Sequence, residues 1–139
     1  MRSIIRLLSP LVLLLALLLP AGGAIAAPAE SVRTEEVFAS VNMCTGEFVA
    51  LEGTVQIVSQ VRADGSDHTY VMYQMKGVGD QGNRYVFGVT LQVRFNSSTG
   101  HFTADQIQRL VSVGSAPNQW IIIHFDSNTG STFDAQCRG

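Results

Sequence analysis

Two long stretches of this chain alternate apolar and polar residues with a period of two, and nothing else constrains the fold as strongly. Val49, Leu51, Val55, Ile57 and Val61 alternate with Glu52, Thr54, Gln56, Gln60 and Arg62. Further on, Tyr85, Phe87, Val89, Leu91, Val93 and Phe95 alternate with Thr90, Gln92 and Arg94. Successive side chains of an extended chain point to opposite sides, so each run is a strand with one dry and one wet face. Shorter runs over 36–41, 68–75, 118–126 and 131–138 fit the same pattern. Residues 102–113 fit it too, although Thr103-Ala104-Asp105-Gln106 has capping-box spacing and Ile107, Leu110 and Val111 follow at helical intervals. Their strand neighbours favour a strand there.

The punctuation between runs is turn chemistry. Asp64-Gly65, Asn96-Ser97-Ser98-Thr99-Gly100 and Ser127-Asn128-Thr129-Gly130 offer Gly or Asn for positive φ. Strands joined this tightly are antiparallel, and a flat sheet of them would expose long edges. The expected fold is therefore all-β, an antiparallel β-barrel of about six to eight strands, with a β-sandwich as the alternative. Gly53 and Gly88, inside long strands, suit the bends of a small barrel.

The N-terminus reads as an export signal. Arg2 and Arg6 precede an apolar stretch from Leu7 to Leu19 broken by Ser9 and Pro10, and Ala24-Ile25-Ala26 supplies small residues for cleavage. The prolines leave a shorter clean run than the roughly 20 residues a spanning helix needs. The expected organisation is a signal peptide over 1–26, a short tether over 27–34 and one β domain over 35–139, with no transmembrane segment after cleavage. Such a protein is secreted or held in the cell envelope. Losing Arg2 and Arg6 takes the net charge from −2 to −4, and Lys76 is the only lysine. A mildly acidic chain with scattered arginines lacks the footprint of a nucleic-acid binder.

Two cysteines, Cys44 and Cys137, span most of the exported chain. Thiols oxidise outside the cytoplasm, and a pair in a small exported domain is expected to form a structural disulfide. A redox-active pair would stand closer in sequence.

Asn42-Met43-Cys44-Thr45-Gly46-Glu47, a Gly53-Thr54 step, a Gly114-Ser115-Ala116-Pro117-Asn118 loop and a closing Cys137-Arg138 follow in order. In this the chain resembles a group of small exported bacterial proteins, largely uncharacterised, with a Cys-Thr-Gly-Glu box near the start and a Cys-Arg end. The resemblance implies a β-barrel-like exported domain whose first and last strands are tied by the two cysteines. Strands of that group often carry repeated histidines on one face. Here Gln56 and Gln60 stand where such histidines would fall, which puts a metal or acid–base role for that face in doubt.

Candidate chemistry is sparse. Gly77-Val78-Gly79-Asp80-Gln81-Gly82 spells the dinucleotide fingerprint, but a strand follows where a helix N-terminus is required, so a strand connection is expected and no cofactor. Asp126-Ser127-Asn128-Thr129-Gly130 begins like a calcium loop without its closing Glu, and reads as a hairpin turn. His68, His101 and His124 share no metal-ligand spacing. No Gly-x-Ser-x-Gly elbow or free cysteine offers a nucleophile. Trp120, Ile122, His124 and Asp126 share one strand face, and Ile121, Ile123 and Phe125 the other. An inward Trp120 face would place His124 inside the fold; an outward one would leave it in water.

The expected function is non-catalytic binding of a small hydrophobic ligand or of an envelope protein partner. Trp120, His124, His68, Tyr70 and Tyr85 are the candidate ligand-binding residues, with no metal. The alternative is a small-substrate enzyme, an isomerase, cyclase or hydrolase, with a site built on His124, His68 and a carboxylate.

Overall fold

The computed structural model describes residues 26–139, so the expected signal segment lies outside them save for its last residue. Seven strands follow one another: β1 (Glu30–Asn42), β2 (Glu47–Val61), β3 (Ser66–Gly79), β4 (Arg84–Asn96), β5 (His101–Ser112), β6 (Asn118–Asp126) and β7 (Gly130–Arg138). They form one sheet in chain order, and every neighbouring pair is antiparallel. The chain is all-β among its described residues, and the ambiguous stretch over 102–113 is strand β5. No helix among them is long and apolar enough to cross a membrane.

β1 starts at Glu30, inside the stretch read as a tether. Residues 30–34 pair with 55–59 of β2 and carry an almost wholly exposed strand, so they show no apolar period by which to recognise them. Gly53 stands where β2 presses on β3: a Cβ there would lie 2.3 Å from the Gln74 carbonyl oxygen. That close approach is the local adjustment expected of a glycine inside a long strand.

The sheet curls. Phe38 on β1 packs edge-to-face on Phe87 of β4, three strands away, with ring centroids 5.3 Å apart, and on Tyr73 of β3 at 6.0 Å. Val49, Leu51, Met75, Tyr85, Phe87 and Leu110 share that inner face and are buried. The Cys44–Cys137 disulfide joins the β1–β2 turn to β7, with the two Cα atoms 5.6 Å apart. Beside it, Asn42 Nδ2 donates to the Pro117 carbonyl at 3.2 Å, and the Met43 N–H donates to Gln119 Oε1. One end of the curled sheet is therefore pinned shut.

The other end is not. β1 and β7 terminate the strand order without pairing to each other, so no hydrogen-bonded closure completes a barrel among the described residues. Inner-face residues towards that end stay partly wet: Val32, Ile57, Phe95, Phe125 and Phe133 are 38–63% exposed. The core is graded from a dry, disulfide-clamped end to an open one.

Candidate functional site

Alternation along the strands, together with the curl, assigns every side chain to an inner or an outer face. On the inner face a groove of about 550 Å³ runs between β1 and β5. Its floor is Val55, Ile57, Tyr73, Phe87, Val89 and Leu91 from β2, β3 and β4. One wall is Thr34, Glu36 and Phe38 of β1; the other is Gln106 and Gln108 of β5. A volume in the range of about 300–1,000 Å³, mostly apolar walls and a few polar groups are the usual make-up of a small-molecule site. β1 forms one wall because its edge position leaves it hydrogen-bonded to β2 alone, while Phe38 folds it back over β3 and β4.

Gln106 and Gln108 were not among the residues singled out from sequence. They sit at successive inward positions of β5, between Ala104 and Leu110, where the inner face is otherwise apolar. Both are half-buried, and neither carboxamide hydrogen-bonds to another described residue. Both carboxamides stay partly open to solvent, so their donors and acceptors face the groove unengaged by protein partners.

Four of the five sequence-selected residues point the other way. Trp120, His124, His68 and Tyr70 occupy the outer face, and Tyr85 the inner one. The Trp120–His124 face is thus outward. Trp120 carries the guanidinium groups of Arg109 and Arg138 at 4.5 and 4.6 Å from its ring centroid. His124 Nδ1 meets Asp105 Oδ1 at 2.5 Å across the β5–β6 pair, with both side chains nearly half exposed. The acid partner that an enzyme site would need is present, but on a wet surface, and neither residue lines a groove. A second such pair, His101 Nε2 with Asp126 Oδ2 at 3.1 Å, lies beside it. Asp126 is held below the ordinary carboxylate range, first by the Asn128 N–H and then by His101.

Tyr70 accepts a hydrogen bond from Gln92 Nε2 at 3.0 Å. His68 is 9% exposed, and its Nδ1 has no partner among the described residues. Burial, then the charges of Arg62 and Arg94, push its titration below the ordinary histidine value. These four residues do not converge on one cavity. No group of three or more His, Cys, Asp or Glu among the described residues is placed to hold a metal ion.

Tyr85 belongs to a buried polar cluster at the clamped end. Its hydroxyl donates to Glu47 Oε2 at 2.6 Å and accepts from Asn42 Nδ2 at 3.2 Å. Glu47, fully buried, also receives the Gln81 N–H at 3.1 Å, the Asn83 N–H at 3.3 Å and Asn83 Nδ2 at 2.9 Å. Burial alone would raise its pKa, but these donors outweigh burial and hold it below the ordinary value. Gly79 makes room for this carboxylate, since a Cβ there would lie 1.9 Å from Glu47 Oε1. The glycine-rich turn with the dinucleotide spelling does cradle an anion. The anion is the chain's own Glu47, and the cradle is full.

An outer strip of exposed apolar residues completes the surface: Val41, Phe48, Val78, Val86 and Val113 are 38–62% exposed. No known protein family, curated protein or solved structure matches this chain.

Proposed function

We propose that this is an exported binding protein that holds a small apolar ligand in the inner groove of its curled sheet, without catalysing a reaction on it. The observation that carries the reading is the groove itself: about 550 Å³, floored by Val55, Ile57, Tyr73, Phe87, Val89 and Leu91 and open to solvent at its mouth. The disulfide supports an oxidising compartment outside the cytoplasm. A fully closed barrel would bury these side chains against one another. A sheet clamped at one end keeps an apolar trough whose dimensions suit one small guest.

Titration with N-phenylnaphthylamine, a neutral dye that brightens in apolar surroundings, tests this. Saturable binding of one dye per chain is expected, and Ile57→Trp, which fills the groove from its floor, abolishes it. Ile122→Ser on the outer face leaves it unchanged. Absence of saturable binding, or equal loss in both variants, overturns the proposal.

Docking of an envelope protein is the second reading, and the exposed strip with Phe48 at 62% favours it. Phe48→Ser separates the two, because it removes such docking and leaves dye binding intact.

A further inference from the structure

We infer that the occupant of the inner groove is an amphiphile whose head group donates hydrogen bonds and carries no negative charge. This rests on the reading of the groove as a ligand site and adds the chemistry of what it takes. The argument comes from the polar residues that line an otherwise apolar trough.

Thr34, Glu36, Gln106 and Gln108 are those residues, with the phenol of Tyr73 on the floor, and none of the lining residues is a cation. An ionised carboxylate such as Glu36 only accepts hydrogen bonds, whereas a carboxamide both accepts and donates. A carboxylate or phosphate head would face Glu36 with no positive charge in the groove to offset the repulsion. An ammonium, hydroxyl or amide head would instead offer its protons to Glu36 and to the two carboxamide oxygens. Lys76 and Arg33 do not alter this balance, because alternation places both on the outer face.

An inward charge on an edge strand also discourages edge-to-edge pairing, and that accounts for Glu36 by itself. It does not account for Gln106 and Gln108. They stand on an interior strand paired on both sides, at positions where the inner face is apolar above and below. Two adjacent inward carboxamides on one wall face a carboxylate on the other, and both flank the apolar floor. Phe38, Phe87, Val89 and Leu91 then accommodate the chain.

The test is competition against bound N-phenylnaphthylamine by decylamine, decanol and decanoate, which share a chain and differ in head, at neutral pH on the disulfide-bonded protein. Decylamine and decanol are expected to displace the dye at concentrations about tenfold lower than decanoate, the equivalent of roughly one hydrogen bond. Gln106→Leu with Gln108→Leu is expected to weaken displacement by decanol about tenfold relative to the dye's own affinity for that variant. Glu36→Gln, an exposed change that leaves the fold intact, is expected to remove the advantage of decylamine over decanol. Dye binding with decanoate equal to or better than the others refutes the head-group inference and leaves the apolar site standing. Failure of the dye to bind wild-type protein overturns the site itself and this inference with it.

Discussion

Removing the disulfide should cost this protein a large part of its stability, and the amount can be worked out from where the bond sits. Cys44 and Cys137 are separated by 93 positions. For a closed loop of that size the chain-entropy treatment gives about 4.7 kcal/mol of lost unfolded-state freedom. Small domains have a margin of about 5–15 kcal/mol, so Cys44→Ser with Cys137→Ser leaves a weakened but testable fold. Unfolding entropy near 2.1 cal/mol/K per residue amounts to about 0.24 kcal/mol/K over the described chain, which converts the loss to a fall in Tm of about 20 °C. Thermal scans by circular dichroism of the oxidised protein and the double variant measure the fall, and urea titrations show whether the m-value holds. The bond does more than shorten a loop, because it ties the β1–β2 turn to the far edge strand of a sheet that lacks hydrogen-bonded closure. Amide exchange in β7 should therefore rise further than in β3 and β4 when the bond is removed. A Tm fall below about 5 °C with an unchanged m-value would refute the reasoning, since the Asn42, Met43 and Gln119 contacts would then suffice to hold the closed end.

Acid should destabilise the fold by a route that Glu47→Gln blunts. Glu47, Asp64, Asp126 and His68 all titrate below their ordinary values of 4.5, 3.8, 3.8 and 6.5 in the folded chain. Depressed groups stabilise above the unfolded-state value and lose that contribution as pH falls, so urea midpoints should decline first below about pH 6.5 and again below about 4.5. Tyr85 is shifted the other way, raised above 10.0 chiefly by burial and then by Glu47, so its contribution is lost as pH rises past that value and the plateau ends there. Phe38→Ala should cost about 2 kcal/mol, below the 3–5 typical of a fully buried Phe because Phe38 is only half-buried, and should raise amide exchange selectively in β1. Gly79→Ala should lower Tm more than Gly65→Ala, because only the former drives a Cβ into an occupied site. His124→Asn should leave dye affinity unchanged, since its side chain lies on the outer face away from the groove.

The strands were readable because burial on one face imposes the alternation of two, and five of the seven needed nothing more. β1 was cut short for the opposite reason: its first residues, Glu30-Ser31-Val32-Arg33-Thr34, are exposed on both sides at the sheet edge, so no selection for an apolar period acts on them. Faces were harder to assign than strands. Ile121, Ile123 and Phe125 favour an inward direction by hydrophobicity, and the structure places them so, which turns Trp120 and His124 outward. The groove residues were missed because Gln106 and Gln108 fall in the stretch whose spacing also suits a helix. On a helix their relation to Leu110 would differ, and only a settled strand makes them interruptions of an inner apolar row. Their place within the Ala104–Leu110 row, at a spacing of two, was the available signal. The Glu47 cradle could not have been read locally, since its donors come from a turn more than thirty positions away.

The clamped end and the open end explain each other. Full closure of the sheet would require β1 and β7 to pair along their lengths, and β1 carries Glu30, Arg33, Glu35 and Glu36 in its first half. Charges there disfavour a strand partner. At the other end of β1 the residues change to Phe38 and Asn42, with Cys44 in the turn that follows, and these fasten onto Phe87, Tyr85, Pro117 and Cys137. One strand thus changes character along its length, from solvated wall to anchored hinge. The inner face inherits that gradient: it is dry where β1 is anchored and accessible where β1 is charged. A groove with an apolar floor arises where the two regimes meet, and Glu36 stands at that boundary facing Gln106 and Gln108. The groove follows from incomplete closure, so replacing the β1 charges with β-branched apolar residues should favour pairing of the edges and shut it.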